Sequence, residues 1–124
     1  MEATDLIVLS PAGGFDPAPA MAANRAGARG FLDLEFADDS PSVHEAIRRL
    51  ARFSGPNFGL KLRDPITLPN GIRPRWIHLA GGDFRQIASL KPTGAGILGE
   101  AVSGDEARQA GEAGADGRIL KGRE

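Results

Sequence analysis

Phe31-Leu32-Asp33-Leu34-Glu35-Phe36 reads as a strand, and Phe58-Gly59-Leu60-Lys61-Leu62 reads as the next one. Between them, Ser40-Pro41 opens a helix. Val43, Ala46, Ile47, Leu50 and Ala51 fall at i, i+3, i+4, i+7 and i+8, which draws one apolar stripe down that helix. Ser42 and Glu45 have capping-box spacing. Arg48, Arg49 and Arg52 sit in the closing turns, where cations suit the helix dipole, and Gly55-Pro56 ends the helix. A single amphipathic helix joining two short apolar strands is a βαβ unit, and such a crossover makes the strands parallel.

The same unit repeats on both sides. Leu6-Ile7-Val8-Leu9 is an apolar run that ends at Ser10-Pro11-Ala12-Gly13-Gly14. Asp16-Pro17 reads as a helix start, with helix from Ala20 to Ala26 and Gly27 as its stop. Downstream, Trp76-Ile77-His78-Leu79, Gly96-Ile97-Leu98-Gly99 and Arg118-Ile119-Leu120-Lys121 read as strands. Asp83 is placed to cap a short helix carrying Phe84, Ile87 and Leu90. Ser103 with Glu106 opens a small-residue helix over Ala107 to Ala113, which Gly114 ends. The strands start near 6, 31, 58, 76, 96 and 118.

Regular βα steps on two-sided apolar strands fit a doubly wound open sheet or a (β/α) barrel. A full barrel typically takes about 250 residues, and six strands in 124 residues would be the first three quarters of a compact one. The expected fold is therefore α/β: a parallel (β/α) barrel truncated to about six units, forming one incomplete domain over residues 1–124. Residues 63–74 are the irregular unit. Three prolines and Asn70-Gly71 forbid a helix there, leaving a loop crossover or a small hairpin turning at Pro69-Asn70-Gly71.

Composition excludes several classes of function. Fifteen basic and sixteen acidic residues give a net charge of −1, which argues against a basic nucleic-acid binder or a polybasic membrane binder. The chain has no Cys, so disulfides, Fe–S clusters and thiol catalysis are excluded, and two His residues offer no His-rich metal site. No apolar run approaches the length of a membrane span, and Met1-Glu2-Ala3-Thr4-Asp5 is not the start of a signal peptide. The expected compartment is the cytoplasm.

Several stretches together carry a resemblance. Ser10-Pro11-Ala12-Gly13-Gly14 after the first strand resembles the Pro-Met-Ala-Gly-Gly of nitronate monooxygenases, formerly 2-nitropropane dioxygenases. Ala23 to Leu32 is similar to that family's Ser-Asn-Ala-Gly-Gly-Leu-Gly stretch. Gly59-Leu60-Lys61-Leu62 is similar to its Gly-Val-Asn-Leu. Glu106-Ala107-Arg108 through Ala113-Gly114-Ala115-Asp116 is similar to its Glu-Ala-Arg…Ala-Gly-Ala-Asp helix, and Leu120 to Glu124 to the start of its Ala-Gln-Gly-x-Glu-Ala-Gly-Gly-His. Lys61, Lys121 and Leu32-Asp33-Leu34-Glu35-Phe36 look more like the enoyl reductase-like domains of polyketide and polyunsaturated fatty acid synthases. Lys61 stands where the family has Asn, and Lys121 where it has Gln.

The resemblance implies a TIM barrel with FMN at its C-terminal mouth, acting on a nitronate or, with NAD(P)H as reductant, on an enoyl thioester. It implies flavin contacts from Pro11, Ala12, Gly13, Lys61, Lys121 and Gly122, with Glu100 aimed at the same mouth. His78, at a strand end before Gly81-Gly82, is the expected catalytic residue, against a bland reading as a hydrogen-bonded core histidine. Lys61 reads as a support for reduced flavin or as one half of a structural ion pair. Asp33 and Glu35 share a face by strand alternation, so Glu35 can pair with Lys61 on the next strand. The alternative function is a non-catalytic barrel segment of a large synthase. Either way the expectation is self-association or a missing C-terminal segment.

Overall fold

The computed structural model describes residues 6–81 and 83–122. Met1–Asp5, Gly82, Arg123 and Glu124 lie outside the described residues. With them go the acidic N-terminal stretch, the second glycine after His78 and the end of the Leu120–Glu124 match.

Six strands form one sheet in chain order: β1 (Ile7–Leu9), β2 (Arg29–Leu34), β3 (Gly59–Leu62), β4 (Trp76–Leu79), β5 (Gly96–Ala101) and β6 (Gly117–Leu120). Every neighbouring pair is parallel. The helices α1 (Ala18–Arg25), α2 (Pro41–Ser54), α3 (Gln86–Leu90) and α4 (Gly104–Glu112) lie in the connections. The curled sheet with alternating helices is part of a parallel (β/α) barrel. Sequential strand order excludes the doubly wound alternative, whose order reverses at a switch point.

Strand alternation divides the sheet into two faces. Leu32, Leu34, Leu60, Leu62, Ile77, Leu79 and Ile97 face the helices, where they pack with Val43, Ala46, Ile47 and Leu50 of α2 and Ile87 of α3. All of these are buried, and they form the hydrophobic core. The opposite face lines the barrel interior. At its N-terminal end two glycines leave room for two rings. A Cβ on Gly59 would lie 2.5 Å from the Phe31 ring, and one on Gly96 would lie 2.5 Å from the Trp76 ring.

Residues 63–75 are a loop crossover. β3 and β4 are parallel, so the hairpin alternative is excluded. Ile66 is buried, and Leu68 and Ile72 pack against the core, so the prolyl loop covers the sheet where a helix would otherwise lie.

Local capping differs from the sequence pattern in three places. Ser40, not Ser42, caps α2, its Oγ accepting from the Val43 N–H at 3.4 Å. α1 begins at Ala18 after Pro17, and Asp16 accepts from the Ala18 N–H at 3.0 Å without being the cap residue. Asp83 accepts from the Arg85 N–H, but α3 begins at Gln86. At α4 the expected pair does form: Ser103 Oγ accepts from the Glu106 N–H, and Glu106 Oε1 reaches back to the Val102 N–H at 2.8 Å.

Candidate functional site

The titratable residues of the barrel interior gather towards the C-terminal ends of the strands. In register, Asp33 on β2 stands beside Lys61 on β3, and Lys61 beside His78 on β4. Two residues further along lie Glu35 and Arg63. Glu100 sits inside β5, which runs to Ala101, rather than after it as the sequence pattern placed it. Asp33, Glu35, Lys61, His78 and Glu100 are all buried.

The charges are paired. Lys61 Nζ lies 3.1 Å from Glu35 Oε2 and 3.6 Å from Asp33 Oδ2. Arg63 Nη2 donates to Glu35 Oε1 at 2.6 Å from a half-exposed position. Glu100 Oε2 accepts from the Gly81 N–H at 3.0 Å, and its Oε1 lies 3.7 Å from Lys121 Nζ. Ser10 at the end of β1 ties the first loop to this network, its buried Oγ accepting from the Asp33 N–H at 2.9 Å.

These surroundings set the proton affinities. Burial alone raises the Glu35 carboxyl, but the hydrogen bonds and charges of Arg63 and Lys61 outweigh it and hold the group below the usual range. Burial alone lowers the Lys61 ammonium, but Glu35, Asp33 and Glu100 outweigh it and hold the group protonated above its usual range. The ion pair expected between Lys61 and Glu35 is therefore present, and it extends to Asp33 and Arg63.

His78 differs from its neighbours. It is 3% exposed, and neither Nδ1 nor Nε2 has a hydrogen-bond partner among the described residues. Burial pushes the imidazole below its ordinary value, and the Lys61 charge adds to this against the opposing pull of Glu100. The Phe31 ring meets it edge-on at 6.5 Å. This is a neutral imidazole with one donor and one acceptor unspent. The other histidine, His44, is half-buried on α2 and bound to Asp39 at 2.5 Å, away from this cluster.

Pro11, Ala12 and Gly13 stand exposed in the loop at the C-terminal end of β1. A Cβ on Gly13 or Gly14 would meet nothing within 4 Å, so this part of the rim is open. Lys121 and Gly122 follow β6 and are exposed. A cleft of about 230 Å³ runs between Arg63, Gly81, Glu100, Val102, Glu106 and Lys121. Arg63 is the residue that sequence reasoning left out of the site, and the tie from Ser10 to Asp33 was not foreseen. The signal for Arg63 was its position two residues after Lys61, just past the end of β3, where strand alternation continued by one residue puts it on the side of Lys61.

No family model matches the chain, and no curated protein does. Solved structures do match. Nitroalkane oxidase from Streptomyces ansochromogenes superposes with a TM-score of 0.75 at 21% identity, over 95% of this chain and 46% of that one. FabK from Thermotoga maritima gives a TM-score of 0.74 at 22% identity, over 94% of this chain and 40% of that one. A point mutant of the same FabK gives 0.74 over 42% of its length. The chain shares their fold. It spans less than half the length of each of them.

Proposed function

We propose that this barrel mouth belongs to an FMN-dependent oxidoreductase of the nitronate monooxygenase or enoyl reductase-like type. The observation that carries the reading is the fold match to nitroalkane oxidase over 95% of the chain, with the buried titratable cluster at the C-terminal strand ends. That end of a (β/α) barrel is where such enzymes place their chemistry. FMN, when bound, supplies the two-electron redox chemistry.

The residues present fit such a group. Pro11, Ala12 and Gly13 offer an open, exposed backbone rim against which a flat ring can lie. Lys121 with Gly122 is the exposed cationic end of β6, and Glu100 steers the Lys121 ammonium. Lys61 takes a different part from the one its isolated charge implied. Two carboxylates balance it, so it fixes Asp33 and Glu35 and would brace the group of residues that would hold the flavin. His78, neutral and without a hydrogen-bond partner among the described residues, holds a proton on one ring nitrogen and is the catalytic residue of this reading.

The substrate class is a small nitronate or an enoyl thioester, with NAD(P)H as reductant in the second case, and the compartment is the cytoplasm. A place in a polyketide-type synthase belongs to the same reading. Among the described residues, β1 and β6 are the edge strands of the sheet. Such edges are templates for further strands, so self-association is included.

The test is anaerobic. The FMN-loaded protein is mixed with a nitronate or with NAD(P)H, and loss of the oxidised flavin's visible absorbance is followed. Reduction by either, slowed in His78→Asn, supports the reading. Reduction by neither overturns it.

A further inference from the structure

The crossover from β3 to β4 carries chemistry that the flavin reading does not use. Pro69, Asn70, Gly71 and Ile72 form a β-turn, closed by the Ile72 N–H, which donates to the Pro69 carbonyl at 3.1 Å. Gly71 has a φ of +78°, in the left-handed region that favours glycine, and a Cβ there would meet nothing within 4 Å. Asn70 and Gly71 are both exposed. Among the described residues, neither the Asn70 side-chain amide nor the Gly71 N–H has a hydrogen-bond partner.

The other two asparagines of the chain are placed differently. Both ends of the Asn24 amide are held: Nδ2 donates to Ser54 Oγ at 3.0 Å, and Oδ1 accepts from the Gly30 N–H at 2.6 Å. Asn57 is exposed, but Phe58 follows it and is buried, so a bulky fixed side chain stands beside the next backbone nitrogen. Asn70 combines a free amide with a free following N–H that has no side chain beside it. Asparagine so placed is chemically labile.

We infer that Asn70 is a self-modification site, at which the chain converts asparagine to aspartate and isoaspartate. The Gly71 nitrogen attacks Asn70 Cγ. An N–Cγ bond forms, the Cγ–Nδ2 bond breaks, and the amide leaves as ammonia with the proton of the Gly71 N–H. The product is a cyclic succinimide. Water then opens the ring at either carbonyl. Opening at Cγ restores the main chain and leaves an aspartate. Opening at the backbone carbonyl routes the main chain through the former side chain and leaves an isoaspartate. No electrons are transferred, and water is the only co-reactant. The change reaches the fold, because isoaspartate lengthens the main chain and adds a negative charge between Leu68 and Ile72, which both pack against the core. Conversion at this turn therefore loosens the cover over β3 and β4, the strands that carry Lys61 and His78.

The experiment needs no flavin. The folded protein is aged in mildly alkaline buffer and digested with trypsin. The peptide from Asp64 to Arg75 is then read by mass and by a methyltransferase specific for isoaspartate. A synthetic peptide of the same residues is the unstructured reference. Aspartate and isoaspartate are expected to accumulate at Asn70, while the peptides holding Asn24 and Asn57 stay unchanged. An exposed turn opens at almost no cost, so the rate in the folded protein lies within about tenfold of that in the free peptide. Asn70→Gln abolishes the conversion. Aged parent protein melts below fresh protein, and aged Asn70→Gln does not. No conversion at Asn70, a rate further below that of the free peptide, equal conversion at Asn24 or Asn57, or an unchanged melting temperature after conversion overturns the inference.

Discussion

Replacing Lys61 by Met removes the cation that two buried carboxylates share. The Lys61 side chain is 9% exposed, and those of Glu35 and Asp33 are 8% and 7% exposed. Glu35 keeps Arg63, at 2.6 Å. Among the described residues, Asp33 keeps only the backbone N–H of Glu35, which its Oδ1 accepts at 2.9 Å. The variant therefore leaves Asp33 as a buried charge with no cation beside it. Breaking such a pair typically destabilises a protein by about 3–5 kcal/mol, a large part of a total near 5–15 kcal/mol. The assay is urea unfolding at pH 7, with Lys61→Met compared with the double variant Asp33→Asn, Lys61→Met. The double variant has no charge to strand, so most of the loss is recovered. A Lys61→Met loss under about 1 kcal/mol, or a double variant as unstable as the single one, refutes the reasoning.

Other outcomes follow from the same geometry. His78 is held below its ordinary value, so the unfolded chain binds more protons than the folded one as pH falls through about 6.5. Stability therefore drops on acidification from pH 7 to pH 5.5, and His78→Leu flattens that drop, as read from urea midpoints. Gly96→Val drives a branched side chain into the Trp76 ring and destabilises by about 1–3 kcal/mol or more, measured by thermal unfolding. Ile47→Ala opens a cavity between α2 and the sheet and costs about 2–5 kcal/mol in the same assay. Ser40→Ala loses the cap of α2 at about 1 kcal/mol, whereas Ser42→Ala changes little.

The fold was legible because every strand carries apolar residues on its helix-facing side and each crossover is short. Leu60 and Leu62, Ile77 and Leu79 could be read as core without knowing what covers them. The Lys61–Glu35 pair was legible for a related reason: alternation put both on the interior face, and neighbouring parallel strands put them side by side. Arg63 was hidden by the prolines that follow it, which made the segment read as loop from its first residue. Glu100 was misplaced because Gly99 looked like a strand end, although β5 continues to Ala101 with Glu100 inside it. That His78 has no hydrogen-bond partner among the described residues depends on which side chains face it across the interior, and a linear pattern carries no information on that. The same holds for Arg29 over Trp76, which meet from β2 and β4 across β3.

The claim that the C-terminal mouth is a flavin site is tested most directly on the protein purified from its native source. It is denatured, and the released flavin is identified and quantified by fluorescence. The account predicts stoichiometric release of FMN. Protein that releases no flavin, and does not quench the fluorescence of added FMN, would contradict it.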